Sequence, residues 1–300
     1  MKTLPRILLT GKNGQVGFEL QRALAPLGEV IAFDRAGCDL ANPDVLRAVA
    51  RSVAPQVIVN AAAYTAVDKA ESDVDTAMSI NAVAPGILGE EARRLGALVV
   101  HYSTDYVFAG DKPAAYVESD ATAPQNVYGR SKLAGEQALL ASAADSLILR
   151  TSWVVGAYGG NFAKTMLRLA GERDSLNVVA DQFGAPTSAA LIADVTAQIV
   201  ARYLRDSEAF PCGVYHLAAA GETNWHAYAC HVVARALAAG VPLRLTPAAV
   251  HPIATRDYPT PARRPANSRL DTASLRQTFG LHLPDWRNGV DHILEQILRP

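Results

Sequence analysis

Only three of the 300 residues are cysteine, at Cys38, Cys212 and Cys230. The number is odd and the spacing wide, which excludes a disulfide framework and a metal-knuckle pattern. Positive charge is not in excess. The 28 Lys and Arg against 29 Asp and Glu leave a net charge of −1, with no basic run. That excludes the electrostatic footprint of a nucleic-acid binder. No apolar run reaches the ~18 residues that a membrane-spanning helix needs. Met1 is followed by Lys2, Pro5 and Arg6, around an apolar run too short for a secretory signal. A soluble cytoplasmic protein is expected, with neither membrane nor nucleic acid as partner. Repeats and low-complexity segments are lacking too.

Apolar residues, by contrast, make up 50% of the chain and charged ones 19%, enough for a sizeable core. Three hundred residues fit one large domain or two modest ones. Strand-like runs alternate with helical patterns. Residues 6–10, 30–33, 57–60, 98–103 and 147–150 read as strands. Helices are expected up to about 27, over 43–54 and 74–95, and from Tyr128. Such alternation predicts a parallel sheet with helices on both faces. Beyond Arg150 the pattern loosens. Helices are expected over 161–173, 189–204, 224–239 and 285–298, strands over 176–179 and 214–217, and an irregular basic stretch over 251–269.

The most informative segment joins the first strand to its helix: Thr10-Gly11-Lys12-Asn13-Gly14-Gln15-Val16-Gly17. Gly11 permits a sharp turn, Gly14 a close approach of backbone to a pyrophosphate, and Gly17 tight packing of helix on strand. The free N–H groups of the helix start suit phosphates. The second strand ends at Asp34-Arg35. An acid ~20 residues after the glycine turn suits adenosine ribose hydroxyls and favours NAD. Arg35, with Lys12, suits a 2′-phosphate instead. NADPH, with NADH also accepted, is the cofactor expected. Asp39, followed by Leu40, suits the adenine amino group, or else caps the helix near Pro43 together with Asn42. Ala61-Ala62-Ala63-Tyr64-Thr65 ends the third strand with residues small enough to lie against a ribose.

A second constellation follows. Tyr128 and Lys132 stand four apart, on one face of a helix. The strand before them ends in Ser103-Thr104-Asp105, where an open parallel sheet places its chemistry. Alone, each is weak: a surface pair, a polar strand end. Together with the glycine turn they resemble the extended short-chain dehydrogenase/reductases.

The resemblance sharpens over residues 6–271 to the dTDP-4-dehydrorhamnose reductases. It rests on Gly11–Gly17, Asn60–Thr65 with Val67-Asp68-Lys69-Ala70-Glu71, Asn81, Ser103–Phe108, Tyr128–Glu136, Arg150–Val154, Asn161-Phe162, Asp181–Thr187 and Arg264–Asp271. It implies a Rossmann-type doubly wound sheet with a smaller C-terminal substrate lobe. Residues 1–150 would form the dinucleotide-binding domain and 151–300 mainly the lobe, with segments crossing back to the sheet. The implied reaction is reduction of the C4 carbonyl of dTDP-4-dehydro-6-deoxy-L-mannose, giving dTDP-L-rhamnose for cell-surface polysaccharide. Tyr128 donates the proton, Lys132 favours its phenolate and bonds the nicotinamide ribose, and Thr104 meets the substrate oxygen. Val67 and Asp105 contact the sugar nucleotide. Phe108 and Trp153 form an apolar wall or pack in the core. Arg263 or Arg264 grips the diphosphate or lies in a solvated loop. A homodimer is also implied. Some members use magnesium through carboxylates between subunits, but Gln15 is no carboxylate and the sequence offers no metal cluster. Two other readings stay open: a non-catalytic regulatory subunit of the methionine adenosyltransferase type, and a reductase of another dTDP-4-keto-6-deoxyhexose.

Overall fold

The computed structural model describes residues 4–298. Strand β1 (Arg6–Thr10) leads into helix α1 (Gln15–Leu24), then β2 (Glu29–Phe33), α2 (Pro43–Val53) and β3 (Val57–Asn60). Short helices α3 (Val67–Ala70) and α4 (Val74–Met78) precede α5 (Ala84–Leu95), β4 (Leu98–Thr104), α6 (Val127–Ala141) and β5 (Ser146–Thr151). After these come β6 (Val154–Val155), α7 (Phe162–Glu172), β7 (Leu176–Val179), β8 (Phe183–Gly184), β9 (Thr187–Ser188), α8 (Ala189–Arg205) and β10 (Gly213–His216). The chain ends with β11 (Thr223–Asn224), α9 (Trp225–Ala238), β12 (Val250–Ile253), α10 (Ala273–Phe279) and α11 (Trp286–Leu298).

The main sheet is parallel throughout, in the order β10-β5-β4-β3-β1-β2. Its strands are apolar on both faces because both are covered. Ile7 and Leu9 point into a core shared with α1 and α8, through Leu20, Ile192 and Ile199. Leu8, between them, points into the opposite core with Leu46, Leu88 and Leu139 of α2, α5 and α6. The order reverses at β1, whose neighbours are β2 and β3. Ligands of such sheets bind at that reversal, beyond the carboxyl ends of the strands. The edge strand β10 and helix α8 come from the second half of the chain. A further core gathers Met166 of α7, Val178 of β7, Val232 of α9, Val250 of β12, and Val290 and Ile293 of α11.

Three local expectations change. Helix α1 stops at Leu24 and a 3-10 turn covers Ala25–Leu27. Pro26 has no N–H with which to continue the ladder. The helix expected over 74–95 is interrupted by a π segment, Ser79–Val83. There the Asn81 amide bonds the backbone N–H and carbonyl of Tyr64 and the Ser131 hydroxyl, at 2.9, 3.0 and 3.0 Å. The basic stretch expected to be irregular contains β12, paired in parallel with β7.

Gly135 shows why α6 lies so close to that π segment. A Cβ on it would overlap the Asn81 carbonyl. Alanine is the better helix former by about 0.5–1 kcal/mol, yet Gly135→Ala is expected to destabilise by about 1–3 kcal/mol, because backbone must yield. Urea unfolding of the two proteins gives the sign.

Candidate active site

Gly11 adopts φ 75°, and an added Cβ would stand 2.7 Å from the Ala62 backbone. The glycine turn therefore lies directly on Ala61–Ala63. On Gly17 a Cβ would overlap the Gly11 carbonyl, so α1 packs on its own turn. Gly14 caps α1 without a side-chain hydrogen bond, leaving the first helical N–H groups for an anion. This donor set fits a dinucleotide pyrophosphate.

Asp34 closes β2. Its Oδ1 accepts the Gly37 N–H at 3.1 Å, and its Oδ2 lies 3.4 Å from Asn13 Nδ2 and 3.6 Å from Lys12 Nζ. The Gly37 N–H and Lys12 hold its carboxyl below the usual range. Arg35 is exposed, 3.6 Å from Asp39. The cap of α2 is Asn42, which accepts from Asp44 and Val45, whereas Asp39 accepts from the Ala41 N–H. The Leu40 side chain is buried in the core beneath α2. Val16 packs against the opposite core. The Gln15 amide oxygen accepts from Asn161 at 3.1 Å, and Phe18 stacks on Tyr158 at 4.5 Å, so the turn is tied to the segment before α7.

Asn126 caps α6 by accepting the Gly129 N–H at 2.7 Å. A Cβ on Gly129 would overlap the Tyr106 carbonyl. The helix therefore presses against the turn after β4, and Tyr128 meets Tyr106 edge-on at 5.6 Å. The Thr104 hydroxyl donates to Asp105 Oδ1 at 3.0 Å and accepts the Tyr106 N–H at 3.2 Å. Burial pushes the Tyr128 hydroxyl well above its usual range, with Thr104 working against it and Asp105 adding to it.

Lys132 finds its hydrogen-bond partners on β4. Its ammonium donates to the Tyr102 carbonyl at 2.6 Å and stands 3.2 Å from His101 Nε2. Burial lowers it to about 8, opposed by Glu136. His101 escaped the sequence reading because a histidine inside an apolar strand carries no spacing signal.

Trp153 follows β5 with φ 48°, a left-handed conformation unusual for a bulky residue. Its ring stacks on Trp225 at 3.7 Å, next to Phe162. A Cβ on Gly184 would stand 2.7 Å from the Trp153 ring. Trp225 Nε1 donates to Gln182 at 3.1 Å. Trp225 was missed because its partner lies 72 positions upstream. Phe108 is a core residue, not a wall: it is 1% exposed and stacked on Tyr116. Arg264 is no solvated side chain, since it pairs with Asp68 at 2.6 Å. The Arg263 carbonyl accepts from Asn126 at 2.8 Å, while its guanidinium reaches exposed Gln125. Val67 begins α3, and Tyr64 donates to Asp73 at 3.0 Å. Thr65 is exposed beside them. Among the described residues no three His, Cys, Asp or Glu side chains converge as metal ligands.

The profile of the RmlD substrate binding domain family matches residues 5–299. The chain belongs to this family. It is 52% identical over 295 residues to the dTDP-4-dehydrorhamnose reductase of Escherichia coli K12, spanning 97% of each chain. With that of Burkholderia thailandensis it shares 50% over 297 residues, spanning 98% of this chain and 99% of the other. Among solved structures, the Bacillus anthracis dTDP-4-dehydrorhamnose reductase in complex with NADP superposes with a TM-score of 0.88 at 34% identity, covering 98% and 100% of the two chains. That neighbour thus shares the architecture over nearly the whole of both chains.

Burial raises the Asp105 carboxyl to about 6, against the pull of the Ser268 and Thr104 hydroxyls, and its Oδ2 is buried with no hydrogen-bond partner within reach among the described residues. A carboxyl whose folded pKa lies above its unfolded ~3.9 costs stability at higher pH. The cost is absent below ~3.9, grows as pH rises to about 6 and is full beyond. Asp105→Asn is therefore expected to raise the melting temperature at pH 7.5 and leave it unchanged at pH 3.5. Melting curves at the two pH values measure the difference.

Proposed function

We propose that the chain reduces the C4 carbonyl of dTDP-4-dehydro-6-deoxy-L-mannose to give dTDP-L-rhamnose. The observation that carries this reading is the juxtaposition of a partly buried Tyr128 with Thr104 and Asp105, at the same end of the sheet as the start of α1, which no side chain caps. NADPH, when bound, supplies the hydride. Its pyrophosphate suits the N–H groups at the start of α1, with Gly11 and Gly14 keeping the backbone open to it. Asp34 suits the adenosine ribose, and Arg35 the 2′-phosphate. NADH is accepted as well, through Asp34.

Tyr128 donates the proton to the oxygen on which charge develops, and its raised proton affinity keeps it loaded until then. Thr104, fixed by Asp105 and the Tyr106 N–H, places its oxygen beside the same centre. Asp105 Oδ2, buried with no hydrogen-bond partner among the described residues, accepts from a sugar hydroxyl. Trp153, backed by Trp225, gives the sugar a flat apolar face. Arg264, poised by Asp68, answers the diphosphate.

Tyr128→Phe is expected to lower kcat by ~10²–10⁴-fold, the usual worth of a positioned acid, with the NADPH Kd nearly unchanged. Steady-state kinetics on the keto-sugar nucleotide, with product NMR for the C4 configuration, tests reaction and role together. A mutant of near-normal activity removes Tyr128 as the acid. Arg35→Ala is expected to weaken NADPH more than NADH. Equal Kd changes for the two, by fluorescence titration, place Arg35 outside the phosphate site.

A further inference from the structure

A row of polar side chains crosses the buried sheet beneath Lys132. Thr10, Asn60 and His101 are register neighbours on β1, β3 and β4, and each is at most 1% exposed. Thr10 donates its hydroxyl to Asn60 Oδ1 at 2.6 Å. Asn60 Nδ2 stands 3.1 Å from His101 Nδ1, and His101 Nε2 stands 3.2 Å from Lys132 Nζ.

The chain has a direction. Among the described residues the Thr10 hydroxyl has no hydrogen-bond partner besides Asn60. Turning the Asn60 amide over would leave that buried proton without an acceptor, which the interior disfavours. With Asn60 so fixed, its NH₂ donates to Nδ1, which must be bare. A neutral imidazole then carries its proton on Nε2. That N–H faces Lys132, whose own N–H goes to the Tyr102 carbonyl.

We propose that His101 is a positioning residue for Lys132: its Nε2–H uses the amine as an acceptor, so Lys132 takes up its proton together with the dinucleotide. The inference rests on the dinucleotide reading above. The groups around the amine agree with it. From β4 come His101 and the Tyr102 carbonyl. On α6, Tyr128 stays neutral and Glu136 favours the ammonium. Arg150 of β5 grips Glu136 at 2.9 and 2.7 Å, which restrains that pull. Burial lowers Lys132 to about 8 even before the opposed N–H is counted. A bound ribose and diphosphate add acceptors and negative charge, which favour the ammonium.

The test is NADPH binding to the full chain between pH 6.5 and 9.5. Fluorescence gives Kd, and calorimetry in buffers of different ionisation enthalpy gives proton uptake. Wild type is expected to bind more weakly as pH rises through the Lys132 titration, with uptake approaching one proton per site at high pH. Thr10→Val keeps the side-chain shape but deletes the hydroxyl. Asn60 can then turn, and His101 can offer a bare Nε2 to an ammonium. The break in Kd should move to higher pH, and at pH 9 the variant should bind about three- to tenfold more tightly, since one unit of displacement is a factor of ~10. His101→Phe should move the break the same way. A merely structural role would lower melting temperature without moving the break. An unmoved or downward break in folded Thr10→Val overturns the inference. Failure of wild type to bind NADPH at any pH overturns the functional reading itself, and this one with it.

Discussion

The structure is organised around one costly act: burying the amino group of Lys132, which is 2% exposed. A charge taken out of water must be paired or neutralised. The Tyr102 carbonyl and His101 meet the amine, and Glu136 with Arg150 supplies a bidentate ion pair one turn on. For those contacts to form, α6 has to lie almost on the backbone of its neighbours. Gly129 and Gly135 allow it, one against Tyr106 and the other against Asn81. The same approach delivers Tyr128 to Thr104. The site chemistry and the helix packing are thus one arrangement.

Much of this was legible in the chain. The glycine turn could be read because each glycine meets a different steric demand, and all three demands are local. Tyr128 and Lys132 could be read because a helix turns four apart into one face. The alternation of apolar runs gave the parallel sheet, though not that β10 would close its edge. What could not be read depends on atoms distant in sequence. Whether Lys132 acts on Tyr128 depends on a carbonyl and an imidazole from β4. Whether Phe108 lines a pocket or fills a core depends on Tyr116 and His216. The π segment depends on what the Asn81 amide finds across the fold, and no helix propensity encodes that.

The two cores divide the work physically. Sheet, α1 and α8 form a rigid base on which the glycine turn and the ends of β3 and β4 are fixed. The second core brings Trp225, Phe162 and Gln182 against Trp153. Contacts from Gln15 to Asn161 and from Phe18 to Tyr158 join them on the outer side of α1. The helix that begins at the glycine turn is therefore also a seam between the cores.

Trp153 has a consequence for how this sequence can change over evolutionary time. Its left-handed backbone, a strain of about 1–3 kcal/mol, persists because the Trp225 ring and the bare face of Gly184 leave the indole one place to lie. A side chain at position 184 would meet the indole, while a small residue at 153 would leave that glycine with nothing to accommodate. The two positions form a ratchet. Neither can drift alone without loss, so descendants of this sequence either keep both residues or replace them as a pair.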